Sequence, residues 1–274
     1  MKEIGIVILT YDFFKETATL VTSIRPKSNE RYQLHIVVVD NDSTYRTGED
    51  ELIRLLKKEG DRYIAHTSNS GYAKGNNIGL QYFDNLGYEY CFIVNPDMKF
   101  ENSDVFFNVL DKVKDKHFAM TGVKIGNVKA YQKRPSIFHY LFPFIYPLRQ
   151  DVKGKNIVQV YKVYGCFMLV NIPVFRKIGF FDPSTFLYCE EDIIAEKLRC
   201  INEPILYIPD ITVNHQTSGV VNKCFNSTEK RNIAAQSLFY YLNKIRNYPK
   251  WVSWLFVKID KIYNYTKEYL KKIH

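Results

Sequence analysis

Short apolar runs alternate with helical stretches through the first half of the chain. Ile4-Gly5-Ile6-Val7-Ile8-Leu9 is continuously apolar, the pattern of a strand buried on both faces. A helix is predicted from about Phe13, with Asp12 placed to cap it. Leu34 to Val39 is a second such run and closes on Asp40. Residues 49–59 read as a helix stopped by Gly60, and Tyr63-Ile64-Ala65 as a short strand. Residues 73–86 form a third helical stretch, stopped by Gly87, and Tyr90 to Val94 a fourth strand that Pro96 cuts off. A β-α-β-α-β-α-β order predicts an α/β fold, with a Rossmann-like, mostly parallel central sheet flanked by helices.

The second half is less regular. Residues 103–115 read as helix, 118–125 as strand, 159–171 as strand, 191–202 as helix and 205–208 as strand. Between them, residues 126–157 form a long connector with an aromatic, proline-broken stretch over 137–147. It reads equally as a flap packed on the core and as an acceptor-side lid or membrane-touching surface. Residues 229–246 and 250–272 read as two terminal helices separated by Pro249. The second places Trp251, Trp254, Leu255, Ile262, Tyr265 and Tyr269 at helical spacing, interleaved with Lys250, Lys258, Lys261, Lys267, Lys271 and Lys272. That combination suits a membrane interface, against the plainer reading of a helix packed on the domain or on a second subunit.

Composition narrows the classes. The 274 residues carry a net charge of +9, which favours an anionic partner. No apolar run is long enough to span a membrane, and no secretory leader is expected. The five cysteines are scattered without a C-x-x-C pair, which fits a reducing cytosol and argues against a disulfide framework or a zinc knuckle. No nucleic-acid-binding motif occurs, so no nucleic-acid partner is expected.

In open parallel sheets ligands bind beyond the carboxyl ends of the strands. The loops there are Thr10-Tyr11-Asp12, Asp40-Asn41-Asp42-Ser43, the segment from Asn69 to Asn77, and Asn95-Pro96-Asp97. Singly, each reads as well as a cap or a turn; Asp42 and Ser43 would cap the next helix. Together, four polar loops at four consecutive strand ends point to a ligand. Neither a G-x-G-x-x-G dinucleotide fingerprint after the first strand nor a G-x-x-x-x-G-K-[ST] phosphate loop is present, which argues against a hydride-transfer enzyme and a P-loop NTPase.

These pieces resemble a family 2 inverting glycosyltransferase of the GT-A fold, in the rhamnosyltransferase-like branch of bacterial surface-polysaccharide synthesis. The resemblance runs over about residues 4–220. It is carried by Ile8-Leu9-Thr10-Tyr11, by Val37 to Ser43, by Asn69 to Gly79, and by Val94-Asn95-Pro96-Asp97. Gly165-Cys166-Phe167-Met168, Phe186 to Asp192, and His215 near Ser218 continue it in the family's order. The resemblance implies a glycosyltransferase domain over 1–225, with a nucleotide-sugar half to about residue 100 and an acceptor half after it. Residues 226–274 would then be basic amphipathic helices.

It also implies roles. Thr10 and Tyr11 would line a base site, and Asp40 would accept a hydrogen bond from a pyrimidine N–H, which leaves UDP and dTDP donors unseparated. Asp42, Asn69, Gly71, Lys74, Gly75, Asn76 and Asn95 would complete the nucleotide-sugar site, with Gly71 and Gly75 admitting close backbone approach. Asn95-Pro96-Asp97 stands where the family carries D-x-D. Asp97 would bind Mn²⁺ or Mg²⁺, with His215 completing the metal or diphosphate site. Glu190, Glu191 and Asp192 would supply the general base; alignment to Y-x-E-D favours Glu191, and sliding it by one gives Asp192. Expected partners are a nucleotide-sugar, a glycan or lipid-linked glycan acceptor, and the inner face of the cell membrane, where a cytoplasmic protein would sit peripherally through its terminal helices. A dimer through those helices stays open. So does a catalytically silent nucleotide-sugar or glycan-binding protein on the same fold.

Overall fold

A computed structural model describes the chain except residues 127–130, 144, 146–147, 149–151, 153–154, 216–223 and 274. Ser218 and part of the 137–147 stretch therefore lie outside the described residues. The first half runs β1 (Lys2–Thr10), α1 (Phe14–Ser23), β2 (Tyr32–Asp40), α2 (Glu49–Lys58), β3 (Arg62–Ala65), α3 (Gly71–Asn85), β4 (Tyr90–Val94), β5 (Met98–Lys99) and α4 (Asp104–Val113). The second half runs β6 (Met120–Ile125), β7 (Tyr131–Gln132), α5 (Ile137–Leu141), β8 (Val158–Val160), β9 (Lys162–Val163), β10 (Phe167–Asn171), α6 (Ile172–Lys177), α7 (Glu190–Cys200) and β11 (Ile205–His215). Helix α8 (Ser227–Tyr240) follows, passes into a π-helical turn (Tyr241–Ile245), and leads to α9 (Lys250–Ile273).

The main sheet has the order β3-β2-β1-β4-β10-β6-β11-β5, with β8 also paired to β11. Strands β3, β2, β1 and β4 are parallel, as their apolar runs predict. β10 enters antiparallel between β4 and β6, so the sheet is mixed. Ile4, Ile6, Val7, Ile8, Leu34, Val37, Val38, Val39, Phe92 and Ile93 are buried between helical layers.

Three elements differ from expectation. Residues 159–171 are not one strand: β8, β9 and β10 are separate pieces, because the chain leaves the sheet at Lys162–Val163 to pair with β7. Strand β11 does not stop at Ile208. Its pairing with β6 lapses at Pro209-Asp210, where proline has no N–H to give, and resumes at Thr212. Asp12 does not cap α1; its φ is +56°, Phe13 holds the cap position, and Asp12 Oδ1 accepts from Tyr45 N at 2.8 Å. Asp42 and Ser43 do not cap α2 either, which begins after Gly48.

Helix α3 lies unusually close to β1. A Cβ on Gly75 would meet Leu9 Cδ1 at 2.4 Å, and one on Gly79 would meet Val7 Cγ1 at 2.6 Å. The glycines of the Asn69–Gly79 segment thus include two that dock a helix on a strand. Gly79→Val should lower stability by about 1–3 kcal/mol through overpacking. A denaturant titration checks this, with the midpoint falling at unchanged slope.

Candidate active site

The site is built at the carboxyl ends of β1, β2 and β4. Asn41, the first residue beyond β2, donates its side-chain amide to Asn69 Oδ1 at 3.0 Å and to Gly71 O at 3.3 Å, and accepts from Ser70 N at 3.2 Å. This ties the β2 loop to the start of α3. Gly71 sits at φ +83°, and a Cβ there would come within 2.1 Å of Phe186 O. That carbonyl accepts from Tyr72 N at 2.9 Å, so the Phe186 segment closes directly over the helix start. A cleft open to solvent adjoins this contact. Leu9, Thr10, Tyr11, Asn41, Asn69, Gly71 and Tyr72 line it together with Asn95, Pro96, Phe186, Leu187, Cys224 and Phe225.

Asp40 lies below this floor, fully buried. Its Oδ1 accepts from Ser43 N at 3.0 Å and from the Ser43 hydroxyl, and its Oδ2 faces Arg46 at 3.4 Å. The Ser43 hydroxyl also accepts from Asp12 N at 2.9 Å, so the first two loops are stitched together. Asp42 is exposed, at φ +64°.

The Asn95-Pro96-Asp97 turn brings a carboxylate and an imidazole together. Asp97 is buried, and its Oδ1 lies 3.0 Å from His215 Nε2. Short strand β5 begins at the next residue and pairs antiparallel with the end of β11, setting Met98 opposite His215. The continuation of β11 past Pro209 is thus what delivers His215. Among the described residues no group of three or more His, Cys, Asp or Glu side chains gathers as a metal site. Asp97 and His215 offer one oxygen and one nitrogen donor; a divalent ion held there would need further ligands from a bound diphosphate or water.

The acids of α7 are dealt three different surroundings. Glu191 Oε1 accepts from Gly165 N at 2.8 Å, and Tyr72 OH donates to Gly165 O at 2.7 Å. A Cβ on Gly165 would sit 2.8 Å from both Glu191 Oε1 and the Tyr72 hydroxyl. Asp192 pairs with Lys162 Nζ at 2.5 Å, both side chains nearly buried. Despite that burial, Asp192 and Glu191 hold the Lys162 ammonium above the ordinary lysine range. Glu190 is buried with Oε1 unpartnered among the described residues. Burial first, then the Glu191 charge, push its carboxyl up to about 8.

The acid helix and the Asn95 turn meet across one dipeptide. Gly165 N donates to Glu191, while Cys166 O accepts from Asn95 N at 2.9 Å. The Cys166 thiol is pushed up to about 12 by burial, then by the charges of Glu191 and Asp97. Both carboxylates therefore act on the same sulfur. Tyr72 is likewise raised, by burial and then by Glu191.

The structure thus brings Thr10, Tyr11, Asn69, Gly71 and Asn95 to the cleft lining. Asp97, His215 and Glu191 are outside that lining; Asp97 follows two residues after Asn95 and bonds His215, and Glu191 is linked to Asn95 through Gly165–Cys166. Nor does the structure bring Asp40, Asp42, Lys74, Gly75 or Asn76 to the cleft lining. Lys74 is exposed on α3. Gly75 faces Leu9, and buried Asn76 donates to Tyr72 O at 3.0 Å, inside its own helix. Their close approach serves packing because they fall on the sheet-facing side of α3. Sequence reasoning gave no role to Asn41, Tyr72, Lys162, Gly165, Cys166 or Phe186. Asn41, Tyr72, Gly165, Cys166 and Phe186 lie inside motifs that the sequence shows, without a role of their own; Lys162 had no such signal.

A family model described as glycosyl transferase family 2 matches residues 5–179. Agl10, a low-salt glycan biosynthesis hexosyltransferase of Haloferax volcanii, is 26% identical over 198 residues, covering 70% of this chain and 60% of Agl10. The match therefore spans less than two thirds of that relative. Rhamnosyltransferase WbbL of Escherichia coli is 22% identical over 191 residues, covering 64% of this chain and 71% of WbbL. Among solved structures, the mannosyltransferase PcManGT of Pyrobaculum calidifontis, in complex with GDP-Man and Mn²⁺, aligns with TM-score 0.61 and 16% identity over 93% of this chain and 68% of that one. TarS 1–349 of S. aureus in complex with UDP aligns with TM-score 0.57 and 16% identity over 89% and 72%. At such identities the structural likeness speaks to the fold: an α/β fold of GT-A type with a mixed, mostly parallel sheet. With the family model matched across more than half its length, the chain belongs to glycosyltransferase family 2.

Proposed function

We propose that the chain is an inverting glycosyltransferase that moves a hexose from a UDP- or dTDP-sugar to a glycan acceptor carried on a lipid, in cell-surface polysaccharide or capsule synthesis. It would work peripherally at the inner face of the cytoplasmic membrane. The observation that carries the chemistry is the Gly165–Cys166 bridge. Through it Glu191, held by Gly165 N, is linked to the Asn95-Pro96-Asp97 turn, held by Cys166 O, in which Asp97 meets His215. Inverting transfer needs those two poles: a base for the acceptor hydroxyl and a site that receives the leaving diphosphate. WbbL and Agl10 carry rhamnosyl- and hexosyltransferase names, which support the same reading.

The base is Glu191. Its second oxygen has no partner among the described residues, and Gly165 N holds the first. Asp192 is committed to Lys162, and Glu190 retains its proton near neutrality. Thr10, Tyr11, Asn41 and Asn69 would take the base and ribose, with Tyr11 and the Phe186 segment as walls. A pyrimidine N–H reaching Asp40 would have to displace Arg46; as placed, Asp40 fixes the Asn41–Ser43 loop. Asp97 and His215 fit Mn²⁺ or Mg²⁺ in donor chemistry. Such an ion, when bound, would neutralise the departing nucleoside diphosphate.

Purified protein with Mn²⁺ should release nucleotide from one UDP- or dTDP-sugar in a donor panel that includes GDP-mannose. EDTA or Asp97→Ala should abolish the release. Absence of turnover together with absence of calorimetric UDP or dTDP binding would overturn the reading. Glu191→Gln should lower kcat by about 10²–10⁴-fold while calorimetry finds donor affinity unchanged. Asp192→Asn should act mainly on stability, by about 3–5 kcal/mol, because Lys162 is left unpaired. An intact transfer rate in Glu191→Gln would favour the catalytically silent protein.

Glu190 generates a pH signature. Its folded-state proton is held up to about 8, whereas an unfolded glutamate releases it near about 4.3. The folded state binds the extra proton, so this group's contribution falls as pH rises between those values. Glu190→Gln does not titrate. Its Tm relative to the parent should therefore climb from pH 5 to pH 8 and level off above, by roughly 2–4 °C per kcal/mol relieved. Thermal melts at pH 5, 7 and 9 read this directly.

A further inference from the structure

Over residues 250–266, helix α9 divides into two faces. Ser253, Phe256 and Val257 are buried, and Phe256 stacks on Tyr140 of α5 with ring centroids 5.2 Å apart. The opposite stripe is open: Trp251 is 71% exposed, Trp254 56%, Ile262 67% and Tyr265 65%, with Leu255 between them. These positions recur every three to four residues, so they lie on one helical face. Lys258 and Lys261 are exposed among them, and Lys258 Nζ rests 3.5 Å from the centroid of the Trp254 ring. Asp260 is turned the other way, half-buried, and accepts from Asn264 at 2.9 Å. The outer face over residues 250–266 is therefore aromatic, aliphatic and cationic, without a carboxylate.

We infer that this stripe docks on an anionic phospholipid bilayer, with α9 lying in the plane of the interface. The inference deepens the membrane placement proposed above and rests on it for purpose, not for evidence. The apolar side chains match the acyl boundary, tryptophan and tyrosine match the headgroup level, and the lysines match anionic headgroups. A symmetric second copy is disfavoured, because a two-fold contact of this stripe would oppose like charges with no acid to answer them. A neutral apolar partner would leave Lys258 and Lys261 without counter-charge. No helix among the described residues is long and apolar enough to cross a membrane, so the contact is parallel to the surface.

The protein supplies its own probe. It contains two tryptophans, Trp251 and Trp254, and both are in the stripe. Vesicles of phosphatidylglycerol and phosphatidylcholine should shift the intrinsic emission to the blue and increase it, saturably. Pure phosphatidylcholine should do so far less, and added salt should weaken the effect. Lys258→Glu with Lys261→Glu should reduce binding to the anionic vesicles by roughly 30-fold or more. Leu255→Ser with Ile262→Ser, which keeps both tryptophans, should lose binding to either vesicle. Circular dichroism and donor hydrolysis in vesicle-free buffer should remain at parent values, which separates loss of docking from loss of fold or of the transferase reading. An unshifted spectrum with both vesicle types overturns the inference. So does equal binding to neutral vesicles, or a concentration-dependent dimer in light scattering that Leu255→Ser with Ile262→Ser abolishes.

Discussion

The contact on which the site depends is the passage of the Gly165–Cys166 backbone between α7 and the turn after β4. The Gly165 N–H holds Glu191, and the Cys166 carbonyl takes Asn95 N. Gly165 has no room for a side chain, because Glu191 and the Tyr72 hydroxyl already occupy the space. The close approach explains why the chain leaves the sheet after β8. A single long strand over 159–171 would carry Gly165 in the ladder, with its N–H paired to a neighbouring strand and unable to reach Glu191. Breaking the strand frees those backbone groups, and the two halves of the site use them.

Three adjacent acids at one helix start would repel one another if all were ionised in the same surroundings. The structure separates them instead. Asp192 is answered by Lys162, Glu191 by a backbone N–H, and Glu190 by keeping its proton. Lys162 and Gly165 stand three residues apart on the same departing segment, so one loop sets two of the three environments. The three carboxylates are thereby distinguished by position and solvation, not by residue type.

Much of the fold was legible in the apolar runs: the parallel β1–β4 half and its helices fall where Ile4–Leu9, Leu34–Val39 and Tyr90–Val94 predict. What was not legible has physical causes. Pro209 reads as the end of a strand, yet the strand resumes after a break, and only that continuation carries His215 to Asp97. Gly75 reads as room for a ligand, but helical periodicity turns it towards Leu9, as it turns Gly79 towards Val7. Asp40 reads as an acceptor at a strand end, which it is; its partners are Ser43 and Arg46, supplied by the following loop. Local pattern identified the loops that converge, but not which side of each loop faces the cleft.

The C-terminal helices are joined to the acid helix by more than chain continuity. Ile193 of α7 is buried with Tyr241, Leu242, Phe256 and Val257, in a cluster apart from the main core. The π-helical turn adds a residue to the ladder just where Tyr241 must point inward, and its hydroxyl meets that of Tyr161 at 2.8 Å. Tyr161 OH also donates to Glu196 at 3.0 Å, and Glu196 takes Arg134 at 2.7 Å while Arg246 lies 3.5 Å away. Burial pulls the Glu196 carboxyl up, but Arg134, Arg199 and Tyr161, and then Arg246, hold it below its ordinary value. Helix α7 is therefore gripped on two sides, by the Gly165 segment and by the terminal helices behind it. Buried charged networks of this kind add little net stability but tolerate few alternative arrangements. The orientation of α9, and with it the exposed Trp251–Tyr265 face, is consequently fixed relative to Glu191 through packed side chains.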